Sequence, residues 1–422
     1  MKSSGIEWIG DIPDDWSIVK IKHIGKLIGG SGFPEEYQGI NGEEIPFIKV
    51  KSLVENPITR EGKDSISELT RLKLKAEKIV KGSIVFAKVG AALLLQRFRV
   101  LEFDSCIDNN MMAFVPISIN SIYFKYVTSL FDFSYFVNPG TVPSINQEQV
   151  GNINIPYPPL VSQQKIADYL DEKCGEIDKT IEKQKKSIEK LKAYKQSLIS
   201  ETVTKGLNKS TPLKPSGIDY IGDIPTHWGL IKAKFAFNVF SGATPKIAVP
   251  EYWSDEIVWI TPAEMGEYIK IISSSKRMIS KLGLNSCGTT VVPKNSLILS
   301  NRASIGQVCI AGTSLCTNQG CKTLVPKIKL SYLYFYYQLL SKVDVLNMLG
   351  NGTIFMELST SDLLNFKLIL PPIEEQISIA TYLENRCAEI DSTINKKQNL
   401  IEKLDAYKKS LIFEKVRGKN GI

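Results

Sequence analysis

The sequence predicts an α+β fold in which two α/β globules are each followed by one long helix. Three observations support this prediction. A short motif and a long helical block each occur twice, the segments between them are nearly equal in length, and only the helical blocks carry a sustained heptad pattern. The chain of 422 residues is therefore expected to consist of two copies of one structural unit.

The first repeated element is a short motif that opens each copy. It reads SGIEWIGDIPDDW from Ser4 to Trp16 and SGIDYIGDIPTHW from Ser216 to Trp228. Repetition of this kind is the sequence signature of a duplicated structural unit. The motif therefore marks where each unit begins.

Two segments of nearly equal length follow the motif, Ser17 to Tyr157 and Gly229 to Leu370, and they align poorly. Each alternates short β-branched or aromatic runs with Gly, Pro, Asn and Ser breaks, which is typical of strands and turns. Each also contains one helical stretch, near Ile122 to Phe131 in the first segment and Ser331 to Leu349 in the second. We therefore expect two α+β globules.

Fragments of these two segments still correspond. GSIVFAKVG at residues 82–90 resembles NSLILSNRASIG at residues 295–306, and CIDNNMMAFVP at 106–116 resembles LCTNQGCKTLVP at 315–326. A Gly-Thr pair also occurs in both segments, at Gly140 and Gly352. We expect the segments to share a fold and to differ in their surfaces.

The second repeated element predicts the long helices. The block from Pro158 to Ile199 returns from Pro371 to Ile412, and each copy opens with a Pro pair that is suited to a helix start. Residues recur at steps of three and four along each block, as in a coiled-coil seam. The seam positions are Cys174, Ile177, Ile181, Gln184, Ile188, Leu191, Lys195 and Leu198 in the first copy and Cys387, Ile390, Ile394, Lys397, Ile401, Leu404, Lys408 and Leu411 in the second.

The predicted boundaries along the chain follow from these repeats. They are residues 1–157 for the first globule, 158–213 for its helix, 214–370 for the second globule and 371–422 for its helix. A helix of roughly 40 residues is about 60 Å long. It exceeds what one small globule needs, so each helix is expected to serve as a spacer, an assembly surface, or both.

The distribution of charge suggests a polyanionic partner. The chain has 52 Lys and Arg against 44 Asp and Glu, a net charge of +8. The first variable segment has 16 basic against 14 acidic residues and the second has 14 against 8, so the excess lies in the globules while the helices are neutral. Nucleic acid is the partner class that such a charge pattern favours.

Composition excludes several classes. No apolar stretch is long enough for a membrane span, and the first residues do not form a secretory signal. Seven cysteines without a CxxC pair fit a reducing cytoplasm, and only two histidines, His23 and His227, argue against a His-dependent hydrolase. The cysteines of the second globule lack zinc-knuckle spacing and are expected to be buried thiols: Cys287, Cys309, Cys316 and Cys321.

The GDIPxxW motif, the PPxxEQxxIAxYL sequence from Pro371 to Leu383 and the duplicated EIDxTI helices together resemble the specificity subunit of Type I restriction-modification systems. The resemblance covers the full chain. It implies two target recognition domains, each reading one half of a split DNA sequence, joined by two antiparallel coiled-coil helices with pseudo-two-fold symmetry. It also implies partners: two methyltransferase subunits that act on adenine, and restriction subunits that translocate DNA.

The resemblance implies that the subunit itself performs no chemistry and needs no cofactor, and the residues agree. The sequence contains no GxxxxGK[ST] phosphate loop, no HExxH and no GxGxxG after a strand. The Pro pairs follow Tyr157 and Leu370, so neither forms the Asn/Asp-Pro-Pro-aromatic loop of an adenine methyltransferase. We therefore expect a non-catalytic, cytoplasmic, DNA-binding protein without a membrane partner.

Base readout uses Arg or Lys on guanine and Asn or Gln on adenine. Basic and amide residues beside the Gly-marked loops are therefore the candidate DNA contacts, and the loops of Lys88 and Arg302 are expected to correspond. The candidates are Lys49, Lys51, Lys88, Arg97 and Arg99 in the first globule and Lys246, Arg277, Asn301, Arg302 and Lys322 in the second.

Three other functions remain open from the sequence. The first is the specificity subunit of a Type IIB-like system, in which one partner joins nuclease and methyltransferase. The second is a coiled-coil structural adaptor, which would need no basic globules and would not bind duplex DNA at low salt. The third is a lone methyltransferase, which would bind S-adenosylmethionine.

Overall fold

The computed structural model separates into two compact units. It describes residues 1–131, 142–266, 270–302, 305–350 and 357–419. Unit 1 combines Met1–Gln184 with Gln398–Ile422, and unit 2 is Lys185–Lys397. Each unit therefore contains one globule and a part of both long helices.

The globule of unit 1 contains short strands and helices. Its strands are β1 (Lys2–Ser3), β2 (Asp11–Ile12), β3 (Ser17–Lys20), β4 (Gly25–Gly29), β5 (Ile45–Ile48), β6 (Ser65–Ile66), β7 (Ile84–Ala87), β8 (Arg99–Val100), β9 (Cys106–Ile107), β10 (Met111–Pro116) and β11 (Asn154–Tyr157). Its short helices are α1 (Glu68–Lys73), α2 (Ala91–Leu94), α3 (Ser121–Thr128) and α4 (Gln147–Gly151). The main sheet has the order β4-β10-β7-β8, a second sheet has the order β6-β5-β9, and two strand pairs, β1-β2 and β11-β3, complete the globule.

The main sheet of unit 1 is buried on both faces. Alternate residues of a strand point to opposite faces. Ile84 and Phe86 of β7 accordingly join the core that contains α3, whereas Val85 and Ala87 join a second core together with Ile48 of β5. The continuous apolar runs of these strands are therefore explained by two cores, one on each side of the sheet.

Unit 2 repeats this plan with one more strand in its main sheet. Its strands are β12 (Leu213–Pro215), β13 (Asp223–Pro225), β14 (Gly229–Lys232), β15 (Phe237–Ser241), β16 (Trp253–Ile260), β17 (Ile271–Ile272), β18 (Met278–Ile279), β19 (Leu297–Ser300), β20 (Val308–Ala311), β21 (Cys316–Thr317), β22 (Cys321–Pro326) and β23 (Lys367–Leu370). The main sheet has the order β15-β22-β19-β20-β17, and the second has the order β18-β16-β21. The strand pairs are β12-β13 and β14-β23.

The short helices of unit 2 lie between two long helices in the chain. The long helix that leads into it is α5 (Leu160–Lys205). Its short helices are α6 (Ala233–Ala236), α7 (Lys281–Asn285), α8 (Tyr332–Leu340), α9 (Val343–Met348) and α10 (Thr360–Asn365), and α11 (Ile373–Val416) is the second long helix. The predicted helical stretches are confirmed, since α3 lies in the first and α8 and α9 lie in the second. Gly140 and Gly352 fall outside the described residues.

In each unit, parts of the two long helices pack against each other. In unit 1, Ile177 and Ile181 of α5 share a core with Leu411 of α11, and the Lys408 ammonium lies 2.6 Å from the Asp178 carboxylate. In unit 2, the equivalent Lys195 of α5 lies 2.7 Å from Asp391 of α11. The predicted seam is confirmed in both units, and its lysines pair with aspartates that directly follow the seam residues Ile177 and Ile390.

The repeated motifs hold these helices to the globules. Gln163 is buried, donates from Nε2 to the Pro158 carbonyl and accepts from the backbone N–H of Asn120, which caps α3. Gln376 makes the same two bonds, to the Pro371 carbonyl and from the Ser331 N–H. The Pro pairs are therefore confirmed as helix starts. No described helix combines the length and the apolar character that a membrane span requires.

Candidate nucleic-acid interface

Loops from both sheets of unit 1 meet at one edge. Because β10 is antiparallel to β4 and β7, its start lies beside the ends of those two strands. The Lys88 N–H donates to the Asn110 carbonyl at 2.9 Å, and the Ser31 N–H donates to the Ile107 carbonyl at 3.0 Å. We define loop edge 1 as Gly29–Ser31, Lys49–Lys51, Lys88–Val89, Asp108–Asn110 and Ser144.

Asp108 joins the second sheet to this edge. Its N–H donates to the Ile48 carbonyl at the end of β5, and its carboxylate accepts from the N–H groups of Val50 and Asn110. Lys49 lies at the same strand end with its ammonium 2.6 Å from Asp64 and 4.7 Å above the Phe33 ring. Lys51 follows in a 3-10 helix (Val50–Val54), and its side chain is exposed.

Lys49 also changes the titration of its partner. Burial raises the pKa of the Asp64 carboxyl, but the hydrogen bonds from Lys49 and the Gly39 N–H and the charges of Lys49 and Lys51 together lower it by more, so the pKa lies below its ordinary value. Asp64 is therefore ionised at neutral pH and holds Lys49 against the globule.

In each unit, a glycine is required where the end of a main-sheet strand lies against the end of a second-sheet strand. A Cβ on Gly30 would overlap the backbone oxygen of Asp108, and a Cβ on Gly242 would overlap the backbone oxygens of Thr317 and Asn318. The glycines of GGSG and SGATP thus allow a close approach of two backbones. Loop edge 2 is the corresponding set in unit 2: Ser241–Ala243, Asn301–Arg302, Asn318–Gly320, Lys322 and Glu357.

Backbone hydrogen bonds align the two edges residue by residue. The Lys88 carbonyl accepts from the Ile145 N–H, and the Asn301 carbonyl accepts from the Leu358 N–H. The Asn301 N–H donates to the Gly320 carbonyl as the Lys88 N–H donates to Asn110. The two loops correspond. These hydrogen bonds make Lys88 the counterpart of Asn301, and Val89 is therefore the counterpart of Arg302.

Polar side chains form one cluster on loop edge 2. Glu357 Oε2 accepts from Arg302 Nε at 3.0 Å and from Nη2 at 2.7 Å, and Glu357 Oε1 accepts from Asn301 Nδ2 at 2.9 Å. Asn301 is fully buried, so its side chain holds Glu357 rather than facing solvent. Lys322, which is only 6% exposed, donates to Ser241 Oγ at 2.9 Å. Burial lowers the pKa of the Lys322 ammonium.

The remaining candidates lie at other positions. Arg99 is half-buried in β8 and donates to the carbonyls of Glu55 and Phe98, and burial followed by repulsion from Arg97 lowers its pKa. Arg97 lies in the loop before β8. Arg99 is therefore committed to the sheet, whereas Arg97 is not in a regular element.

Lys246 and Arg277 gather around Trp253 at the start of β16. The Arg277 guanidinium stacks 3.4 Å from the Trp253 ring centroid, and the Trp253 indole N–H donates to the Lys246 carbonyl. Loop edge 2 lies at the other end of β16, where the Asn318 N–H donates to the Ile260 carbonyl. The structure therefore brings together Asn301, Arg302 and Lys322, and it places Lys246 and Arg277 in a separate group.

Sequence reasoning missed the acidic members of both edges. Asp108 and Glu357 organise the edges, whereas the candidates that the sequence indicated are basic and amide residues. The duplicated fragment CIDNNMMAFVP contains Asp108 and was a usable signal, whereas Glu357 lies 55 residues from Arg302 and had none.

Neither edge resembles a metal site. Within the described ranges, no group of three or more His, Cys, Asp or Glu residues is arranged to hold a metal ion. Burial raises the pKa of the Cys309 and Cys316 thiols to about 12, so both are protonated at neutral pH.

Known proteins match this chain over most of its length. It matches the family described as Type I restriction modification DNA specificity domain over residues 13–193 and 226–403. It is 25% identical over 427 residues to the putative type I restriction enzyme MjaX specificity subunit of Methanocaldococcus jannaschii, covering 97% of this chain and 95% of that protein. It is 36% identical over 188 residues to the MjaIX specificity subunit of the same organism, covering 44% of this chain and 43% of that protein.

Solved structures share the fold. A chain from a study of complex assembly and conformational transition in the type I R-M system has a TM-score of 0.76 at 15% identity, covering 97% of this chain and 99% of that chain. The HsdS subunit from Thermoanaerobacter tengcongensis has a TM-score of 0.54 at 16% identity, covering 96% and 98%. The resemblance found in the sequence is thus confirmed, and the chain belongs to the family of type I restriction-modification specificity subunits.

Proposed function

We propose that this chain recognises a split, asymmetric target in duplex DNA, with one short block read by each unit. One observation carries the proposal. The loop edges share a backbone frame but differ in side chains, with Lys88, Val89 and Ser144 in unit 1 where unit 2 has Asn301, Arg302 and Glu357. An equal frame with unequal side chains suits two readers of different sequences.

The charge distribution supports DNA as the ligand. Phosphate contacts supply most of the affinity of a DNA-binding protein, and contacts to base edges supply its specificity. The net positive charge lies in the two variable segments, which contain both loop edges. Lys49, Lys51, Lys88 and Arg302 are the proposed direct contacts on these edges, Lys246 and Arg277 are proposed contacts beside Trp253, and Arg97 is a proposed contact in the loop before β8. Arg99, Asn301 and Lys322 are proposed to support them.

We infer further that the long helices carry two methyltransferase subunits. Tyr194 and Tyr407 occupy the same position in the two helical repeats, one in each unit, and their side chains are 50% and 57% exposed. Exposed aromatic residues are enriched at protein interfaces. Two equivalent patches suit two copies of one partner, and the restriction subunits would join that assembly. Catalysis would then belong to the partners.

Methylation mapping tests the recognition proposal. The full chain is produced with the methyltransferase genes that neighbour its own gene, in a host without adenine methylation, and the modified DNA is read by long-read sequencing. We expect two short, different blocks separated by unspecified base pairs. A continuous or palindromic site would contradict the assignment of one block to each unit.

The docking proposal has its own test. Replacing both Tyr194 and Tyr407 with Ala should reduce the amount of methyltransferase that copurifies with the chain. Leu400→Ala is the matched control, because Leu400 is an exposed apolar residue of α11 whose counterpart in the first repeat is Ser187. Equal losses in the control and the double variant would refute docking at the tyrosines.

A further inference from the structure

We propose that Arg302 reads a guanine in the major groove and that Glu357 is the residue that positions it. This inference rests on the proposed DNA-recognition function and adds the base that the second unit selects. At the equivalent place in unit 1, Val89 and Ser144 form the corresponding backbone bridge, and neither side chain has a guanidinium.

Glu357 fixes the Arg302 guanidinium from one side. Arg302 and Glu357 are paired through an isolated antiparallel bridge, and the carboxylate oxygen Oε2 accepts from both Nε and Nη2. The other oxygen, Oε1, is held by Asn301 Nδ2. Both carboxylate oxygens are therefore engaged, and the orientation of the guanidinium is set before any ligand binds.

The free edge of the guanidinium matches guanine. Nε and one hydrogen of Nη2 bind Glu357. Nη1 and the second hydrogen of Nη2 form the other edge of the guanidinium. Among the described residues, Arg302 makes no further hydrogen bond, so this edge is available to a ligand. Its side chain is 46% exposed. Two parallel N–H donors are the partner that the O6 and N7 acceptors of guanine require.

Glu357 also favours a base over a phosphate. A carboxylate beside the guanidinium cancels much of its charge, and charge is what attracts it to the DNA backbone. The directional pair of donors is unaffected. An Arg302 without Glu357 would suit a phosphate equally well, so the acidic partner is what points to base readout.

The cluster is difficult to explain by stability alone. An exposed ion pair contributes little to stability. Asn301 Oδ1 is buried and has no hydrogen-bond partner among the described residues, an arrangement that costs free energy because the acceptor loses its water. Lys322, another buried polar group, lies close enough for the charges of Glu357 and Arg302 to affect its pKa, after the larger effect of burial. A buried polar atom without a partner calls for an explanation, and a functional role for the cluster provides one.

The test is the base preference of the methylated motif. Arg302→Ala in the full chain, produced with its methyltransferase and mapped by long-read sequencing, should convert one guanine of one block into an unspecified base. A bidentate contact predicts that discrimination at this position falls by roughly 5- to 150-fold, while the other block and the spacer stay as they are. Glu357→Gln should loosen the same position to a smaller degree.

Two further variants separate base readout from other roles. Arg302→Lys keeps the charge but lacks the fork, so it should retain methylation and still lose the guanine preference. Lys327→Ala removes one positive charge at the opposite end of β22 and should leave every base unchanged.

Contrary results are distinct. A motif with every base unchanged in both Arg302→Ala and Arg302→Lys would overturn the inference. A uniform loss of methylation in Arg302→Ala together with full activity in Arg302→Lys would also overturn it, because that result indicates a phosphate contact. If the unaltered chain directs methylation to a split motif in these cases, only the guanine assignment fails. If the unaltered chain gives no split motif, the proposed function itself fails.

Discussion

The Tyr334 hydroxyl donates a 2.9 Å hydrogen bond to the carbonyl oxygen of Val203, a residue that lies 131 positions earlier in the chain. In unit 1, the Tyr123 hydroxyl donates the equivalent hydrogen bond, at 3.4 Å, to the carbonyl oxygen of Val416. Both tyrosines are fully buried. Each unit is therefore completed by the last turns of the helix that belongs to the other copy of the repeat.

Removing this hydroxyl should weaken unit 2. Tyr334→Phe leaves the Val203 carbonyl unpaired and removes an acceptor of Gln338 Nε2, so we expect a loss of about 1–3 kcal/mol in the free energy of unfolding. Urea unfolding followed by tryptophan fluorescence measures it. Tyr332→Phe is the control, because the Tyr332 hydroxyl has no hydrogen bond among the described residues. Equal effects of the two changes would disprove this role.

A half-length chain should form a symmetric dimer. Asp178 and Lys195 lie in α5, and their partners in α11, Lys408 and Asp391, are the repeated copies of the same two residues. A chain of residues 1–213 thus contains both members of the ion pair. The apolar residues of this contact are also repeated. Unit 1 buries Leu411, Ile412 and Val416, and their counterparts in the first repeat are Leu198, Ile199 and Val203. Two copies can therefore complete each other.

Charge reversal checks this pairing. Asp178→Lys in the half-length chain places two lysines together and should shift it toward monomer in analytical ultracentrifugation, and the added change Lys195→Asp should restore the dimer. The dimer should direct methylation of an interrupted palindrome of the first block. A half-length chain that is monomeric at micromolar concentration would contradict the exchange of helices.

The close backbone approach at Gly30 should tolerate no side chain. Gly30→Ala forces a Cβ onto the Asp108 carbonyl, and we expect a loss of about 1–3 kcal/mol or more in stability. Gly32→Ala is the matched control in the same loop, because a Cβ there has no atom within 4 Å. Thermal unfolding compares the two variants. A Gly30 variant as stable as the Gly32 variant would show that the backbones of Gly30 and Asp108 can separate enough to accept a Cβ.

Lys88 should contribute to DNA binding by unit 1. Lys88→Ala is expected to weaken binding, and a salt titration identifies the type of contact. Loss of a phosphate contact lowers the salt slope by about 1 and affects all sequences alike, whereas loss of a base contact costs about 1–3 kcal/mol at one position. Lys81→Ala, at the other end of β7, serves as the control. Unchanged affinity across the titration would remove Lys88 from the interface.

Repetition made much of the fold predictable from the sequence. The duplicated motifs identified two units, and the heptad pattern identified α5 and α11. The exchange of helices was not predictable, because repeated seams such as those of Ile181 and Ile394 are compatible with either arrangement.

The candidate site was predicted less completely. The loops of Lys88 and Arg302 correspond, but their sequences do not show which residues within them are equivalent. The backbone hydrogen bonds show that Lys88 and Asn301 are equivalent. Glu357 was missed because no local pattern connects it with Arg302. The DNA contacts themselves stay predictions.

Exchange of one recognition segment tests the central claim most directly. Residues 17–157 are replaced by the equivalent segment of another family member, the chain is produced with its methyltransferase, and adenine methylation is mapped. The account predicts that one block of the motif is replaced while the other block, which unit 2 reads, is retained. A change in both blocks, or in neither, would contradict it.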